Sequence, residues 1–260
     1  MKIVVCVKQV PDSWAEKKLG ADSKLDRASV DAVLNELDEY AVEEALRLSE
    51  AHPGSHIVAL TMGPDRATDA LRKALSMGVD EAVHVNDTGL SGSDALATSA
   101  VLAAAIAGIG DVDLVMFGCE STDARMSVVP AMVAERLDLP MATFASSVTV
   151  EGSTLIVERT TEAGVAHLSA QLPAAVSVVE KINEPRYPSF KGIMAAKKKP
   201  MTVRTIADLG LDSAAVGSGG AWSEVVDFAV RPPRGKGTIV SDEGSGGLQL
   251  AEYLVSNKVL

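Results

Sequence analysis

Residues 57–85 read IVALTMGPDRATDALRKALSMGVDEAVHV, and this stretch indicates the fold class. Ile57–Thr61 and Ala82–Val85 are short runs rich in β-branched residues, which is typical of buried parallel strands. Asp65–Met77 has a helical pattern, and Gly78 stands where a helix would end. A strand, a helix and a second strand in this order predict a right-handed crossover between parallel strands.

The same alternation extends over the first 150 residues. Ile3–Val7 and Leu114–Phe117 are strand-like, and helical patterns occupy Asp38–Glu50, an Ala-rich segment that ends at Ile109, and Met126–Leu137. Repeated strand–helix units place helices on the faces of a parallel sheet. We therefore predict an α/β fold with an open, mostly parallel, doubly wound sheet.

The core of this fold is expected to be aliphatic, because 47% of the 260 residues are hydrophobic but only 3% are aromatic. In the helix predicted at Asp38–Glu50, Ala41, Ala45 and Leu48 share an apolar face. The side chains of this helix that we expect to point to water include Glu39, Glu43 and Glu50.

Strand-like runs follow one another more closely from about Thr143. They are Ser147–Val150, Thr154–Arg159, Ala166–Gln171 and Ala175–Val179, separated by short turns. Such spacing is typical of antiparallel hairpins, which we predict beside the parallel sheet. Residues 184–240 then have little periodicity and are rich in Pro, Gly, Ser and basic residues. We expect them to lie on a partner as an arm, ahead of a final short helix at about 248–255.

Charge and composition limit the function classes. A formal charge of −11 argues against nonspecific binding to nucleic acid. Two cysteines cannot form a disulfide framework, and the N-terminus does not resemble a signal peptide. The longest apolar stretch, Ala100–Ile109, is too short to insert across a membrane. These observations predict a cytoplasmic protein.

Ligands of open α/β sheets bind beyond the carboxyl ends of the strands, near the point where the strand order reverses. Lys8–Asp12, Met62–Pro64 and Gly118–Arg125 are the segments expected at that edge. After the last of them the helical pattern begins, and backbone N–H groups there, with Ser127 nearby, would bind a phosphate. An ordinary strand-to-helix loop is the open alternative.

Motifs for catalysis are missing from the sequence. No G-x-G-x-x-G follows a strand, and no G-x-x-x-x-G-K-[ST] occurs. The four histidines have no metal-like spacing, and Cys6 and Cys119 fit buried small hydrophobic positions. No nucleophile stands beside a base, so we predict a protein without catalytic residues of its own.

Residues 172–200 read LPAAVSVVEKINEPRYPSFKGIMAAKKKP. The pattern predicts a buried strand, a proline-constrained loop that presents Tyr187 and Phe190, and a short basic helix. Pro185 and Pro188 restrict the residues before them to extended conformations. A stiff loop suits partner recognition because little ordering entropy remains to be lost on docking. The alternative is that Phe190 packs into its own domain and the lysines form a solvated face.

This stretch resembles the signature of the electron transfer flavoprotein beta subunit. Further segments resemble the same family in the same order along the chain: Val7–Asp12, Leu34–Ala45, Met62–Pro64 and Ala74–Asp80. The resemblance implies a sheet of the adenine-nucleotide-binding type. It also implies a heterodimer with an alpha subunit whose C-terminal domain carries the redox FAD.

A structural AMP in this subunit is a further implication of the resemblance. Its phosphate would lie against the backbone amides of residues 125–129, where the anion site is predicted above. The residues implied in AMP binding are Cys6, Asn35, Glu36, Leu37, Asp38, Met62, Gly118, Asp123, Arg125, Met126, Ser127, Val128 and Val129.

The family's partners follow in the same way. Tyr187, Phe190, Ile193 and Met194 would dock acyl-CoA or related dehydrogenases of fatty acid oxidation, with Phe190 as the apolar anchor. Electrons would pass toward a membrane quinone oxidoreductase. The chain would then have three parts: a nucleotide-binding domain at 1–183, a recognition loop and basic helix at 184–200, and an arm at 201–260 that contacts the alpha subunit.

Two alternatives remain. Some family members hold a second FAD in place of AMP and bifurcate electrons, and their nucleotide loop typically reads Asp-Gly-Asp-Thr-Ala-Gln-Val-Gly-Pro. The matching residues Asp123–Ala131 carry the bulkier Arg125 and Met126, which favours AMP. The other alternative is a stand-alone adenine-nucleotide-binding module, in which the proline-stiffened loop would have no evident role.

Overall fold

The computed structural model describes residues 1–237 and 239–259. The strands are β1 (Lys2–Cys6), β2 (Gln9–Pro11), β3 (Ala32–Leu34), β4 (His56–Met62), β5 (Glu81–Val85), β6 (Leu114–Gly118), β7 (Met141–Ala145), β8 (Ser147–Glu151), β9 (Thr154–Thr161), β10 (Gly164–Gln171), β11 (Ala174–Val178) and β12 (Met201–Arg204). The helices are α1 (Glu36–Ala51), α2 (Thr68–Met77), α3 (Ala95–Ile109), α4 (Val129–Arg136), α5 (Phe190–Ala196), α6 (Gly217–Gly220) and α7 (Gly246–Ser256).

Seven strands form one open sheet in the order β12-β5-β4-β1-β6-β11-β7. Every neighbouring pair in it is parallel, which confirms the predicted fold class. β1 is the central strand, and its residue Val4 pairs with Val58 on one side and Val115 on the other. All residues of β6 and β11 are buried, as expected of strands covered on both faces.

Helices cover both faces of this sheet. Successive side chains of β1 point to opposite faces, so Ile3 and Val5 pack among residues of α1 and α2. Val4 and Cys6 pack instead among residues of α3 and α4. The sheet is therefore doubly wound.

Strand order reverses next to β1. The chain runs from β1 outward through β4 to β5, and then returns to the opposite side of β1 as β6. The carboxyl ends of β1 and β6, at Cys6 and Gly118, therefore flank the crevice in which such sheets bind ligands.

The prediction of antiparallel hairpins was right for three strands and wrong for the fourth. β8, β9 and β10 form a three-stranded antiparallel sheet. Ala175–Val179 was predicted with them, but β11 lies between β6 and β7 and is parallel to both. Its short spacing from β10 was misleading, while its continuous burial is the pattern of a parallel strand.

Other strands escaped sequence prediction because they lack an apolar pattern. β2 and β3 form a hairpin of only three residue pairs. β12 lies in the segment predicted to be irregular, and it pairs with β5 although three of its four residues are exposed. β7 and β12 are the two edges of the main sheet, where one side of the strand needs no partner.

Glu43 corrects another prediction. The helical pattern of α1 placed Glu43 toward water, but only 4% of the residue is exposed. Arg186 donates to both carboxylate oxygens, from Nε over 2.7 Å and from Nη2 over 3.0 Å. A buried carboxylate is tolerated when it is paired and hydrogen-bonded in this way.

The chain divides into two units, residues 1–226 and 227–260. The second unit contains α7, which confirms the predicted helix at about 248–255. Its exposed apolar side chains include Val230, Ile239, Leu248, Tyr253 and Val255. Among the described residues, no helix has both the length and the apolar character needed to cross a membrane.

Candidate functional site

A buried asparagine joins the loops at the crevice between β1 and β6. Asn35 has no exposed surface, and its backbone N–H donates to the carbonyl oxygen of Lys8 over 2.8 Å. Its side-chain Nδ2 donates to the Glu120 carbonyl over 2.9 Å, while Oδ1 accepts from the Thr122 N–H over 3.1 Å. One side chain therefore fixes the start of α1 to the loop that follows β6.

Asp38, in the first turn of α1, lies against the end of β6. Its Oδ2 accepts a hydrogen bond of 2.8 Å from the Lys8 backbone N–H. A Cβ atom on Gly118 would lie 2.5 Å from Asp38 Oδ1 and 2.7 Å from the Leu37 carbonyl oxygen. Burial raises the pKa of Asp38 to about 7, although hydrogen bonds from Asn35 and Lys8 act in the opposite direction. This close packing requires glycine at position 118.

Asp123 is the charged centre of the loop after β6. Its side chain is fully buried and forms ion pairs with Lys8 Nζ, at 2.9 Å, and with Arg27. Burial alone would raise the pKa of Asp123, but Lys8 and Arg27 lower it to about 2. Lys8 Nζ also donates to Ser121 Oγ over 3.3 Å. This loop has no regular secondary structure, and the ion pairs of Asp123 fix its conformation instead.

Two left-handed residues shape the end of the same loop, residues 119–128, which we term the nucleotide loop. Arg125 has a φ of 51° and Ser127 a φ of 55°, so a helix cannot begin before Val129. Within residues 1–237 and 239–259, no protein group accepts the backbone N–H groups of Met126, Ser127 or Val128. Left-handed residues and an adjacent helix N-terminus together form the kind of concavity that binds anions.

The Ser127 hydroxyl is already engaged inside the nucleotide loop. It donates to Glu120 Oε2 over 3.1 Å. Binding of a phosphate at this position would therefore rely on backbone N–H groups more than on the Ser127 hydroxyl. The side chains of Arg125 and Met126 are exposed beside the loop.

The remaining predicted nucleotide residues fall into two groups. Cys6 and Met62 stand at the carboxyl ends of β1 and β4, and burial raises the pKa of the Cys6 thiol. Glu36 is exposed and accepts a hydrogen bond from Ser13 Oγ over 3.0 Å. Cys6, with a protonated thiol, is a small apolar side chain of the core.

A cavity of about 580 Å³ lies outside this group of residues. Its lining consists of Asp12, Trp14, Ala15, Glu16, Lys18, Asp26, Ser29, Val30 and Asp31. Four carboxylates make this cavity unsuitable for a phosphate. No group of His, Cys, Asp or Glu in the described part of the chain is arranged to hold a metal ion.

A second candidate surface surrounds α5. Tyr187 is 95% exposed and Phe190 is 81% exposed, and Ile193 and Met194 are about half exposed. Phe190 therefore does not pack into its own domain. Four apolar side chains on one short stretch form an exposed apolar patch, which is a candidate interaction surface.

Residues 22–209 match the family model described as "Electron transfer flavoprotein domain". The chain is also 51% identical to the electron transfer flavoprotein subunit beta of Mycobacterium tuberculosis H37Rv, over 99% of each chain. It belongs to the electron transfer flavoprotein beta-subunit family.

The chain is similar to two further proteins over nearly its full length. The beta subunit of Mycobacterium leprae is 51% identical over 99% of both chains. The "Caffeyl-CoA reductase-Etf complex subunit CarD" of Acetobacterium woodii is 36% identical over 98% of this chain and 97% of its own. The match to the family model includes the nucleotide loop and α5.

Sequence reasoning missed two members of the site. Lys8 was assigned only to the edge of the sheet, and Arg27 was not considered. Arg27 lies in a loop without hydrophobic periodicity, so no pattern pointed to its pairing with Asp123, 96 positions later. The basic character of both residues was the only available signal.

Proposed function

We propose that this chain is the beta subunit of a heterodimeric electron transfer flavoprotein. Its membership of the family over nearly the full chain carries this proposal. The partner would be an alpha subunit that carries FAD, and FAD supplies the redox chemistry when bound. This chain would act as scaffold and docking surface, without catalytic residues of its own.

A structural AMP fits the site between β1 and β6. The backbone N–H groups of Met126, Ser127 and Val128 would hold the phosphate, aided by the N-terminus of α4. Asn35 and the Lys8–Asp123 ion pair would keep the nucleotide loop in the conformation that presents those groups.

FAD in place of AMP is the second candidate for this site, as in bifurcating members of the family. Arg125 and Met126 argue against a second FAD. They are bulky side chains at positions of the nucleotide loop where bifurcating members carry smaller or acidic residues. The 36% identity to a subunit of a "Caffeyl-CoA reductase-Etf complex" is the observation that favours this second candidate.

The exposed patch around Phe190 supports a docking role toward acyl-CoA or related dehydrogenases. Electrons would pass from the dehydrogenase to the FAD of the alpha subunit, and on to a membrane quinone oxidoreductase. A large apolar side chain that is exposed on a constrained loop is the type of residue that dominates binding energy when a partner covers it.

The test is to co-express the chain with its alpha subunit, purify the complex, and measure the nucleotides released by denaturation. One FAD and one AMP per heterodimer supports the proposal, and two FAD supports the bifurcating alternative. If the chain purifies as a stable monomer and no flavin depends on a partner, the proposed function is wrong.

A further inference from the structure

The docking segment, residues 184–200, is fastened to α1 and α2 at several points. We infer that the buried Glu43–Arg186 pair and Lys199 are positioning residues that hold this segment in its docking conformation. This inference rests on the proposed docking function. It concerns residues other than the four exposed apolar side chains of the patch.

The first attachment joins Arg186 of the docking segment to Glu43 and Glu50 of α1. Besides its two guanidinium bonds to Glu43, its backbone N–H donates to Glu43 Oε2 over 3.1 Å. Nη1 donates to Glu50 Oε1 over 2.6 Å. Because a planar guanidinium in several simultaneous bonds has one allowed orientation, the backbone at Arg186 is fixed, and with it the neighbouring Tyr187.

Asn183, which immediately precedes the docking segment, is a second point of attachment to α1. Its Nδ2 donates to the Tyr40 carbonyl over 2.9 Å and to Glu44 Oε2 over 3.0 Å. Glu44 is buried, and burial raises the pKa of its carboxyl group. Pro185 lies between the two attachments and removes further backbone freedom.

The middle of the segment packs against α2. Ser189 caps α5, because its Oγ accepts from the Gly192 N–H over 3.0 Å. A Cβ atom on Gly192 would lie 2.4 Å from the Ser76 carbonyl oxygen. The backbones of α5 and α2 are therefore in contact at Gly192 and Ser76. Any larger residue at position 192 would push the two helices apart.

The last attachment is Lys199 at the C-terminus of α2. Its Nζ donates to the carbonyl oxygens of Leu75, Gly78 and Val79, over 3.1, 3.0 and 2.5 Å. A cation at a helix C-terminus satisfies unpaired carbonyl groups and interacts favourably with the helix dipole. Burial lowers the pKa of Lys199, while Asp80 acts in the opposite direction.

The attachments to α1 and α2 are made at Arg186, Gly192 and Lys199. Tyr187, Phe190, Ile193 and Met194 remain exposed. A docking surface ordered before the encounter loses less conformational entropy on binding. The attachments should therefore affect the affinity for a partner, and leave the electron-transfer step within the docked complex unchanged.

The test uses the purified heterodimer with a reduced acyl-CoA dehydrogenase as donor. The main variant is Glu43→Gln/Arg186→Met, which removes both charges so that neither is left buried alone. We expect KM for the heterodimer to rise about tenfold, with kcat and FAD content within about twofold, because the ordering cost moves into binding. Amide hydrogen exchange in residues 184–199 should become faster.

The matched control is Glu39→Gln/Lys73→Met. Glu39 and Lys73 form an ion pair between α1 and α2, and among the described residues neither side chain hydrogen-bonds to the docking segment. KM and exchange in residues 184–199 should match the wild type. If the main variant does not fold, Arg186→Lys replaces it, since lysine keeps the charge but loses the planar fork, and a smaller rise in KM is then expected.

Phe190→Ala separates this inference from the proposed function. If Phe190→Ala raises KM and the main variant changes neither KM nor exchange, the positioning role is wrong and docking stands. Faster exchange with unchanged KM also overturns the inference. If neither Phe190→Ala nor the main variant raises KM, the docking function fails, and the inference fails with it.

Discussion

Gly118 approaches Asp38 so closely that a methyl group on its Cα would lie 2.5 Å from the carboxylate Oδ1. The end of β6, next to the central strand, and the first turn of α1 are therefore in direct contact at the carboxyl edge of the sheet. Because this carboxyl group is buried against backbone, we expect the stability of the fold to depend on the volume of residue 118 and on the protonation of Asp38.

The first prediction concerns added volume. Gly118→Ala should destabilise the purified complex by about 1–3 kcal/mol, because backbone and Asp38 must both move to admit the methyl group. The measurement is the urea midpoint at constant m-value. Gly108→Ala is the control, since a Cβ at Gly108 in α3 meets no atom within 4 Å. Equal midpoints for the two variants would contradict the packing described above.

Protonation of Asp38 gives the second prediction. Its pKa is about 7 in the folded chain, against about 3.9 for an unfolded aspartate. Between these values the folded state binds more protons, so the contribution of Asp38 to stability is greatest below pH 4 and is lost as the pH rises through 7. In Asp38→Asn this part of the pH dependence should disappear. The observable is the unfolding free energy at pH 4.5, 5.5, 6.5 and 7.5. An unaltered slope in the variant would contradict the burial of an ionisable group there.

Asp123 should behave in the opposite sense, which is the third prediction. Its folded pKa of about 2 lies below the unfolded value of about 3.9. Its ion pairs therefore stabilise the fold above pH 4, and that stabilisation is lost as the pH falls toward 2. At pH 7, Asp123→Asn should cost about 1–3 kcal/mol, since Lys8 and Arg27 lose their partner.

The Asp123 variant should also release AMP more readily, because the nucleotide loop loses its charged centre. A matched control is Asp22→Asn, on an exposed turn where, among the described residues, the carboxylate accepts only from the Lys24 backbone N–H. If wild type and Asp123→Asn differ in stability as much at pH 2.5 as at pH 7, the ion pairs do not account for the effect.

The fourth prediction concerns the apolar patch. Phe190→Ala should raise KM for reduction by an acyl-CoA dehydrogenase about tenfold or more, as expected for a central aromatic anchor. FAD and AMP content should not change, because Phe190 is 81% exposed and lies outside the nucleotide loop. Val203→Ala, an exposed apolar residue on the edge strand β12, is the control and should behave as wild type.

Sequence alone located the strands that are buried on both faces, although it assigned β11 to the wrong sheet. β1, β4, β5 and β6 are short β-branched runs between helical patterns, so periodicity and length identify them. The edge strand β12 has the sequence MTVR and is mostly exposed, so its place in the sheet depends on hydrogen bonds to β5 that no local pattern encodes.

The same limit applies to the site. The edge of the sheet that carries the nucleotide loop follows from strand order. A helix after the loop was also predicted, but from Met126, whereas the left-handed Ser127 delays its start to Val129. Pairings across long stretches of chain do not follow from either. Glu43 meets a residue 143 positions away, so a helix-face argument could only assign it to solvent. Arg27 is likewise placed beside Asp123 by tertiary structure alone.

The docking segment is, in topological terms, part of a connection between two strands of the same sheet. It follows β11, near one end of the strand order, and leads into β12 at the other edge. Both of its ends are thus continuous with the sheet, while the side chains of Tyr187 and Phe190 between them are almost fully exposed. If these side chains dock redox partners as proposed, mutations there would change the choice of partner and leave the fold intact.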